Sequence, residues 1–317
     1  MLFKPCICCT NHTFELVVTA PDFEYSCIPG NFQIFKCKAC NHHFIHPIPM
    51  KGEINEFYPL SYYTINTSSP LYLSGFIYKM KIQNDIKRIL KLIKTHSIKS
   101  MLDLGCGDAS RLIGLKCVLG DQIEATGYDL AFQDNTLAKA KNYGVNLNEG
   151  NIEDELTMLN NNSLDFVLMN QIIEHIIDPE LLLKEAYKKL KPGGLLLIET
   201  PNLAGLDYYI FRKYFWGGYH VPRHIHLFDQ HSLLKLLISC NFTIMKKGSL
   251  PSPGFWIISL RNLFGLNSKN YSRSPFEVLN FSSIPIVTLF YLLDKALIAT
   301  GLLTSNQYVL SRKPNCI

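Results

Sequence analysis

The stretch MLDLGCGDASRL, residues 101–112, decides the fold. Its first residues read as a short apolar strand, Gly105 and Gly107 as a tight turn, and the residues that follow as the start of a helix. A strand, a glycine turn and a helix in that order resemble a dinucleotide-binding loop. Ser110 stands where the third glycine of G-x-G-x-x-G would fall, and no lysine follows to hold a phosphate. Asp103 and Asp108 flank the turn with negative charge, which disfavours a diphosphate there and suits a cationic ligand.

Working outward from this turn, apolar runs alternate with helical patterns. MLDLG precedes a helix over about 111–118, EATGYDL a helix near 134–143, LDFVLMN the helical PELLLKEAYKKL, and GGLLLIETPN closes the run. Such alternation predicts a parallel sheet with helices on both faces and ligands at the carboxyl ends of the strands. Asp129 ends the second strand, 24 residues after Gly105, where an acid can accept both hydroxyls of a ribose.

The 317 residues have ordinary globular composition, 47% apolar and 18% charged. The net charge of +5 is uneven: Lys79 to Lys99 holds seven Lys/Arg and one acid, so the remainder sums to about −1. Ile82, Ile86, Ile89, Leu90 and Ile93 form a helical stripe with the lysines opposite. This segment reads as a solvated helix packed beside the glycine-turn strand rather than a nucleic-acid patch.

MLFKPCICCT carries no charged-then-apolar leader, which predicts a reducing, cytoplasmic compartment and thiols or metal ligands rather than disulfides. Cys6/Cys9 and Cys37/Cys40 form two C-x-x-C pairs, the ligand spacing of a structural zinc ribbon, and FELVV and NFQIFKC between them read as strands. Cys8, Cys27, His42, His43 and His46 are competing ligands. The expected organisation is a ribbon over 1–50, a Pro-rich linker over 51–78 and the main domain over 79–317. Phe57, Tyr58, Tyr62 and Tyr63 of the linker are expected over the mouth of the site. SIPIVTLFYLLDKALIATGLL, residues 283–303, has the length of a membrane span, but Asp294 and Lys295 at its centre would each cost about 2.5–3.5 kcal/mol in a bilayer. It reads instead as a buried cap or an interfacial helix.

LDLGCGDASRL, GYDL, NQIIEHIIDPELLLKEAYKKLKPGG and LLLIETPN, in that order, resemble the successive motifs of the Rossmann-like S-adenosylmethionine-dependent methyltransferases, in the subgroup related to ubiquinone-biosynthesis O-methyltransferases. The resemblance covers about residues 100–245. It implies a mostly parallel sheet with an antiparallel last strand, which makes about 251–305 an apolar helical insertion. It also implies S-adenosylmethionine as cofactor: Asp103, Gly105 and Gly107 at the methionine end, Asp129 on the ribose, Asn151 and Ile152 flanking the adenine, and Asn170 closing the pocket. Where the family commonly has Asp at the adenine, this chain has Asn151, whose amide oxygen is expected to keep the contact.

Methyl transfer from a sulfonium is an in-line displacement, so the protein positions the acceptor and, for a hydroxyl, removes its proton. Gln171-Ile172-Ile173-Glu174-His175 resembles the E-x-x-E-H that carries magnesium in some ubiquinone-pathway enzymes. Gln171 in place of the first carboxylate counts against that hard cation. Glu174 and His175 are candidates for base or acceptor orientation. GGYHVPRHIHLFD adds His220 or His224 as general base and Arg223 as an anion anchor. The acceptor class is a small molecule, either a nucleotide-linked sugar or polysaccharide precursor or a prenylated aromatic, with no specific nucleic acid. The 251–305 insertion is expected as a lid or a peripheral membrane contact. An rRNA methyltransferase with a zinc module, a non-catalytic zinc-dependent interaction protein and an NAD-dependent oxidoreductase are the competing readings.

Overall fold

A computed structural model describes residues 4–25, 27–58, 75–265 and 279–315. The main sheet has seven strands: β4 (Ser100–Leu104), β5 (Glu124–Asp129), β6 (Val145–Glu149), β7 (Leu164–Asn170), β8 (Leu190–Pro201), β10 (Thr243–Ser249) and β11 (Asn306–Arg312). Their order is β10-β11-β8-β7-β4-β5-β6. The β4–β5, β5–β6, β4–β7 and β7–β8 pairs are parallel, and β11 runs antiparallel to both β8 and β10. This is the mostly parallel sheet with an antiparallel last strand implied by the motifs.

Strand periodicity divides the core into two layers. Phe166, Leu168, Leu195 and Leu197 face α1 (Gly75–Ile93), α2 (Ser110–Leu119) and α3 (Asp134–Asn142). Val167, Met169, Leu196 and Ile198 face α4 (Ile152–Met158), α5 (Pro179–Lys189) and α7 (Gln230–Ser239). Lysine-rich α1 buries Ile89 and Ile93 against the first layer, as its stripe predicts. Ile86 lies so close to Gly114 of α2 that any β-carbon there would overlap it. Asp178 and Asp229 cap α5 and α7 by accepting backbone N–H groups, Asp229 in a reciprocal capping box with Ser232.

A second sheet contains β1 (Phe14–Pro21), β2 (Asn31–Cys37) and β3 (His43–His46), all antiparallel. Its fourth strand is β9 (His226–Leu227), supplied from beyond β8 and paired with β3. The N-terminal strands are thereby joined to a segment of the main domain. Cys6, Cys8, Cys37 and Cys40 lie in the same buried cluster as Ile173, Ile176 and Phe228.

After the short α6 (Leu206–Phe211) and β10, α8 (Pro253–Leu263) and α9 (Ile284–Ala299) form the described part of the insertion, with the Trp256 and Phe290 rings stacked at 5.5 Å. Asp294 is buried. It accepts the Ser252 backbone N–H at 2.6 Å and the Trp256 indole N–H at 2.9 Å. The acid in the middle of the apolar run thus ties α9 to α8. Val287, Asp294 and Leu297 are the buried positions of α9, while Leu289 and Leu292 are about 60% exposed. Among the described residues no helix is long and apolar enough to cross a membrane.

Candidate functional site

The glycine turn sits where β4 ends. Gly105 and Gly107 have φ of +69° and +58°, in the left-handed region that favours glycine. A β-carbon at Gly105 would overlap the Ile172 side chain, whereas nothing lies near the corresponding position at Gly107. The Gly107 N–H donates to Asp129 Oδ2 at 2.7 Å, and the Leu130 N–H to Oδ1 at 2.8 Å. Asp129 is thereby fixed at the lip of β5, half-buried, with burial raising its pKa. Two backbone donors leave it further lone pairs for a ribose diol.

The two acids that flank the turn are less open than their sequence positions suggest. Alternation places Asp103 on the α2 face, fully buried, with Arg111 Nε 3.7 Å from its carboxylate. Burial raises its pKa to about 6, and Arg111 opposes that shift. Asp108 accepts the Ser110 N–H at 3.0 Å and the Tyr78 hydroxyl at 2.6 Å. A turn bordered by two free negative charges is therefore corrected to a turn whose acids are matched by Arg111, Tyr78 and the start of α2. Repulsion of a diphosphate is weaker than a charge count implies.

Asn151 caps α4: its Oδ1 accepts the Glu153 and Asp154 N–H groups at 2.9 and 3.4 Å. The amide oxygen expected at the adenine is thus engaged by backbone. Ile152 is half-buried against the second core layer, and Asn170 ends β7, half-buried, beside Glu199 of β8. Asp129, Asn151 and Asn170 accordingly end or follow strands on one edge of the sheet, together with the glycine turn.

The loop after β7 links this edge to the histidines. Gln171 has φ +57°, and its amide turns to Asn306 Oδ1 at 3.1 Å. Ile172 covers Gly105, Glu174 is fully buried with Oε2 accepting the Thr200 hydroxyl at 2.8 Å, and burial raises the Glu174 pKa to about 8. At neutral pH Glu174 is chiefly the protonated acid. His175 follows it, with Nδ1 3.0 Å from the Arg223 carbonyl and 3.1 Å from the Tyr58 hydroxyl. Of the linker aromatics, Tyr58 thus reaches the site and Phe57 is buried, while Tyr62 and Tyr63 lie outside the described residues.

The His175 and His224 rings lie 4.7 Å apart, and His220 stands 4.9 Å from His224 and 6.3 Å from His175. His224 Nδ1 donates to the Gly218 carbonyl at 2.8 Å. Burial lowers the His175 pKa to about 3 and that of His224 well below the ordinary value, so both rings are neutral. Glu174, His175 and His224 each place a ligand atom within 4.8 Å of the others. A buried acid beside two neutral imidazoles offers no anionic oxygen to a hard cation such as magnesium.

Arg223, expected as an anion anchor, is committed elsewhere. Its guanidinium makes a bidentate pair with Asp22, at 2.9 and 3.1 Å, and lies 4.4 Å from the Tyr25 ring centroid. Both partners' side chains are at most 1% exposed. Glu24 meets His220: Oε1 is 2.7 Å from Nδ1. Sequence reasoning did not single out Asp22 or Glu24. They lie in the unremarked connection PDFEYSC between β1 and β2, and their partners stand about 200 residues away.

Cys6, Cys9, Cys37 and Cys40 bring their sulfurs within 4.8 Å of one another, with Cys6–Cys40 at 3.5 Å and Cys9–Cys37 at 3.6 Å. Tetrahedral thiolates about 2.3 Å from a zinc ion would sit about 3.8 Å apart. The donor set therefore fits a metal ion. Hydrogen bonds from Cys40 and Cys8 hold the Cys6 thiol down to about 4. Cys6, Cys8 and His42 form a second group of close ligand atoms. Cys27 lies instead against Asp22 and Arg223, and His43 Nδ1 bonds the Asn41 carbonyl.

Comparison with known proteins gives the same outline. The methyltransferase-domain family matches residues 78–247. The ubiquinone biosynthesis O-methyltransferase, mitochondrial, of Dictyostelium discoideum is 27% identical over 140 residues, 38% of this chain and 43% of that protein. The demethylmenaquinone methyltransferase of Bacillus pumilus is 31% identical over 139 residues, 40% of this chain and 58% of that protein. The matches span about half the length of these relatives. The structure of Haemonchus contortus phosphoethanolamine N-methyltransferase 2, with phosphomonomethylethanolamine and S-adenosylhomocysteine, covers 84% of this chain and 62% of its own at a TM-score of 0.54 and 17% identity, a likeness of fold.

Proposed function

This chain belongs to the methyltransferase-domain family, which accounts for more than half of its residues, and on that premise we propose that it transfers the methyl group of S-adenosylmethionine to a hydroxyl of a prenylated aromatic. Both the S-adenosylmethionine-dependent transfer and the acceptor are our reading. The observation that carries this reading is the seating of His175, His220 and His224 beside the loop whose Ile172 covers Gly105. Of these rings His220, whose Nδ1 faces a carboxylate, is read as the proton acceptor that an O–H substrate needs. Asp129 takes the ribose and the glycine turn the methionine end, with Asp103, Asn151, Ile152 and Asn170 completing the proposed pocket.

The names of the quinone-pathway relatives favour an aromatic acceptor, and the exposed leucines of α9 offer apolar surface to a prenyl tail or to a membrane face. A nucleotide-linked sugar would bring a diphosphate, and the guanidinium nearest the histidines is already neutralised by Asp22. His220 or His224 is proposed as the base, and Glu174 and His175 as the groups that shape the acceptor's place. We assign zinc to Cys6, Cys9, Cys37 and Cys40, where four sulfurs close the shell and make the ion structural. Incubation with labelled S-adenosylmethionine and either a singly prenylated catechol or a nucleotide-linked hexose tests the acceptor. Label in the catechol ether supports the reading, and label in the hexose alone contradicts it.

A further inference from the structure

The N-terminal module contributes more than a metal site. We propose that Glu24 is a positioning residue for methyl transfer: its carboxylate, 2.7 Å from His220 Nδ1, fixes His220 as the Nδ1–H tautomer and so makes Nε2 the atom that takes the acceptor's proton. This rests on the reading of His220 as the base.

Three observations carry it. The three neighbouring rings differ in what faces Nδ1: the Arg223 carbonyl and the Tyr58 hydroxyl for His175, the Gly218 carbonyl for His224, and a carboxylate for His220 alone. A neutral carbonyl orients a ring, whereas a carboxylate also stabilises the imidazolium that forms when the ring accepts a proton. Second, Glu24 is held in place. Its side chain is 3% exposed, and its neighbour Asp22 accepts the Tyr25 and Cys27 N–H groups while gripping both arms of Arg223. The second Glu24 oxygen is buried without a hydrogen-bond partner among the described residues. Such burial of a carboxylate is costly and calls for a compensating role. Third, His220 has φ +39° and ψ +39°, a left-handed conformation that costs a non-glycine residue on the order of 1 kcal/mol. The backbone is bent at the residue that meets Glu24.

In the step itself the acceptor oxygen forms a bond to the methyl carbon as the carbon–sulfur bond breaks, and that bond's electron pair stays on sulfur. The hydroxyl proton passes to His220 Nε2 and from there to solvent. The products are the methyl ether and S-adenosylhomocysteine.

The test compares E24A and E24Q with E15Q, a control on the exposed Glu15–Lys36 pair of the same module. Methyl transfer to a singly prenylated catechol gives kcat and KM, and nitrogen NMR of the imidazoles gives the His220 tautomer. We expect E24A to lose about 100-fold in kcat with KM for S-adenosylmethionine within twofold. E24Q keeps an acceptor oxygen and should lose about 10-fold, and E15Q should match wild type. His220 should be the Nδ1–H tautomer in wild type and a mixture in E24A. Wild-type kcat in E24A, or an Nε2–H tautomer in the wild-type protein, overturns the role of Glu24 and leaves the acceptor reading standing. A wild-type protein that leaves the catechol unmethylated overturns the acceptor reading, and the tautomer spectra then decide the Glu24–His220 pairing alone.

Discussion

The two sides of the proposed site are built differently. The cofactor side comes from consecutive units: the glycine turn, Asp129 and Asn170 follow β4, β5 and β7, and the bond from Gly107 to Asp129 spans 22 residues. The proposed acceptor side is assembled across the chain, with Asp22 and Glu24 meeting Arg223 and His220 from about 200 residues away. A region made of neighbouring segments keeps its geometry through local turns and one sheet. A region made of distant segments depends on whatever holds those segments together, here the cysteine cluster and the β3–β9 pair.

The largest expected effect follows from that dependence. C37S/C40S removes two of the four sulfurs, and structural zinc contributes on the order of 10 kcal/mol to small metal modules. Loss of metal by elemental analysis, a lowered melting temperature and transfer reduced about 100-fold or more should appear together. Full transfer in metal-free protein would break the comparison. Next is R223M. It leaves the Asp22 carboxylate buried without its partner and should cost about 3–5 kcal/mol in denaturant unfolding, with D22N/R223M recovering much of the loss.

A smaller effect concerns the acid that ties the insertion together. Burial raises the Asp294 pKa to about 6, against about 3.9 in the unfolded chain. The protonated acid is favoured in the fold, so its contribution is complete below about pH 4 and is lost as pH rises through about 6. D294N titrates nowhere in this range. Its stability relative to wild type should therefore rise by up to about 3 kcal/mol between pH 4 and pH 7, on top of a constant loss from the missing oxygen. Denaturant titrations at both pH values read the difference. A flat difference would show that Asp294 stays ionised.

What the sequence revealed follows the same division. MLDLGCGDASRL predicts β4, its turn and α2, and GYDL places Asp129 at the end of β5, because local spacing encodes local geometry. The C-x-x-C pairs likewise bring together the sulfurs they predict. Arg111 reaches Asp103 only through the packing of α2 on the sheet, which the spacing of acids at the turn does not encode. An Asn before a helix also satisfies free N–H groups, and Asn151 does so as the cap of α4, a role that the adenine spacing alone does not show. PDFEYSC has no periodicity or motif that marks its two carboxylates as partners of Arg223 and His220. Their meaning appears only once β9 docks on β3.

The central claim is that the two sides are separable, the cofactor held by the glycine-turn edge and the acceptor chemistry by the histidines. Calorimetric titration of S-adenosylmethionine into D129A and H220A, side by side with wild type, tests it most directly. Loss of charged hydrogen bonds to the ribose should weaken binding to D129A by about 2 kcal/mol, roughly 30-fold, while H220A binds within twofold of wild type. Undiminished binding by D129A, or equal weakening in both variants, would contradict it.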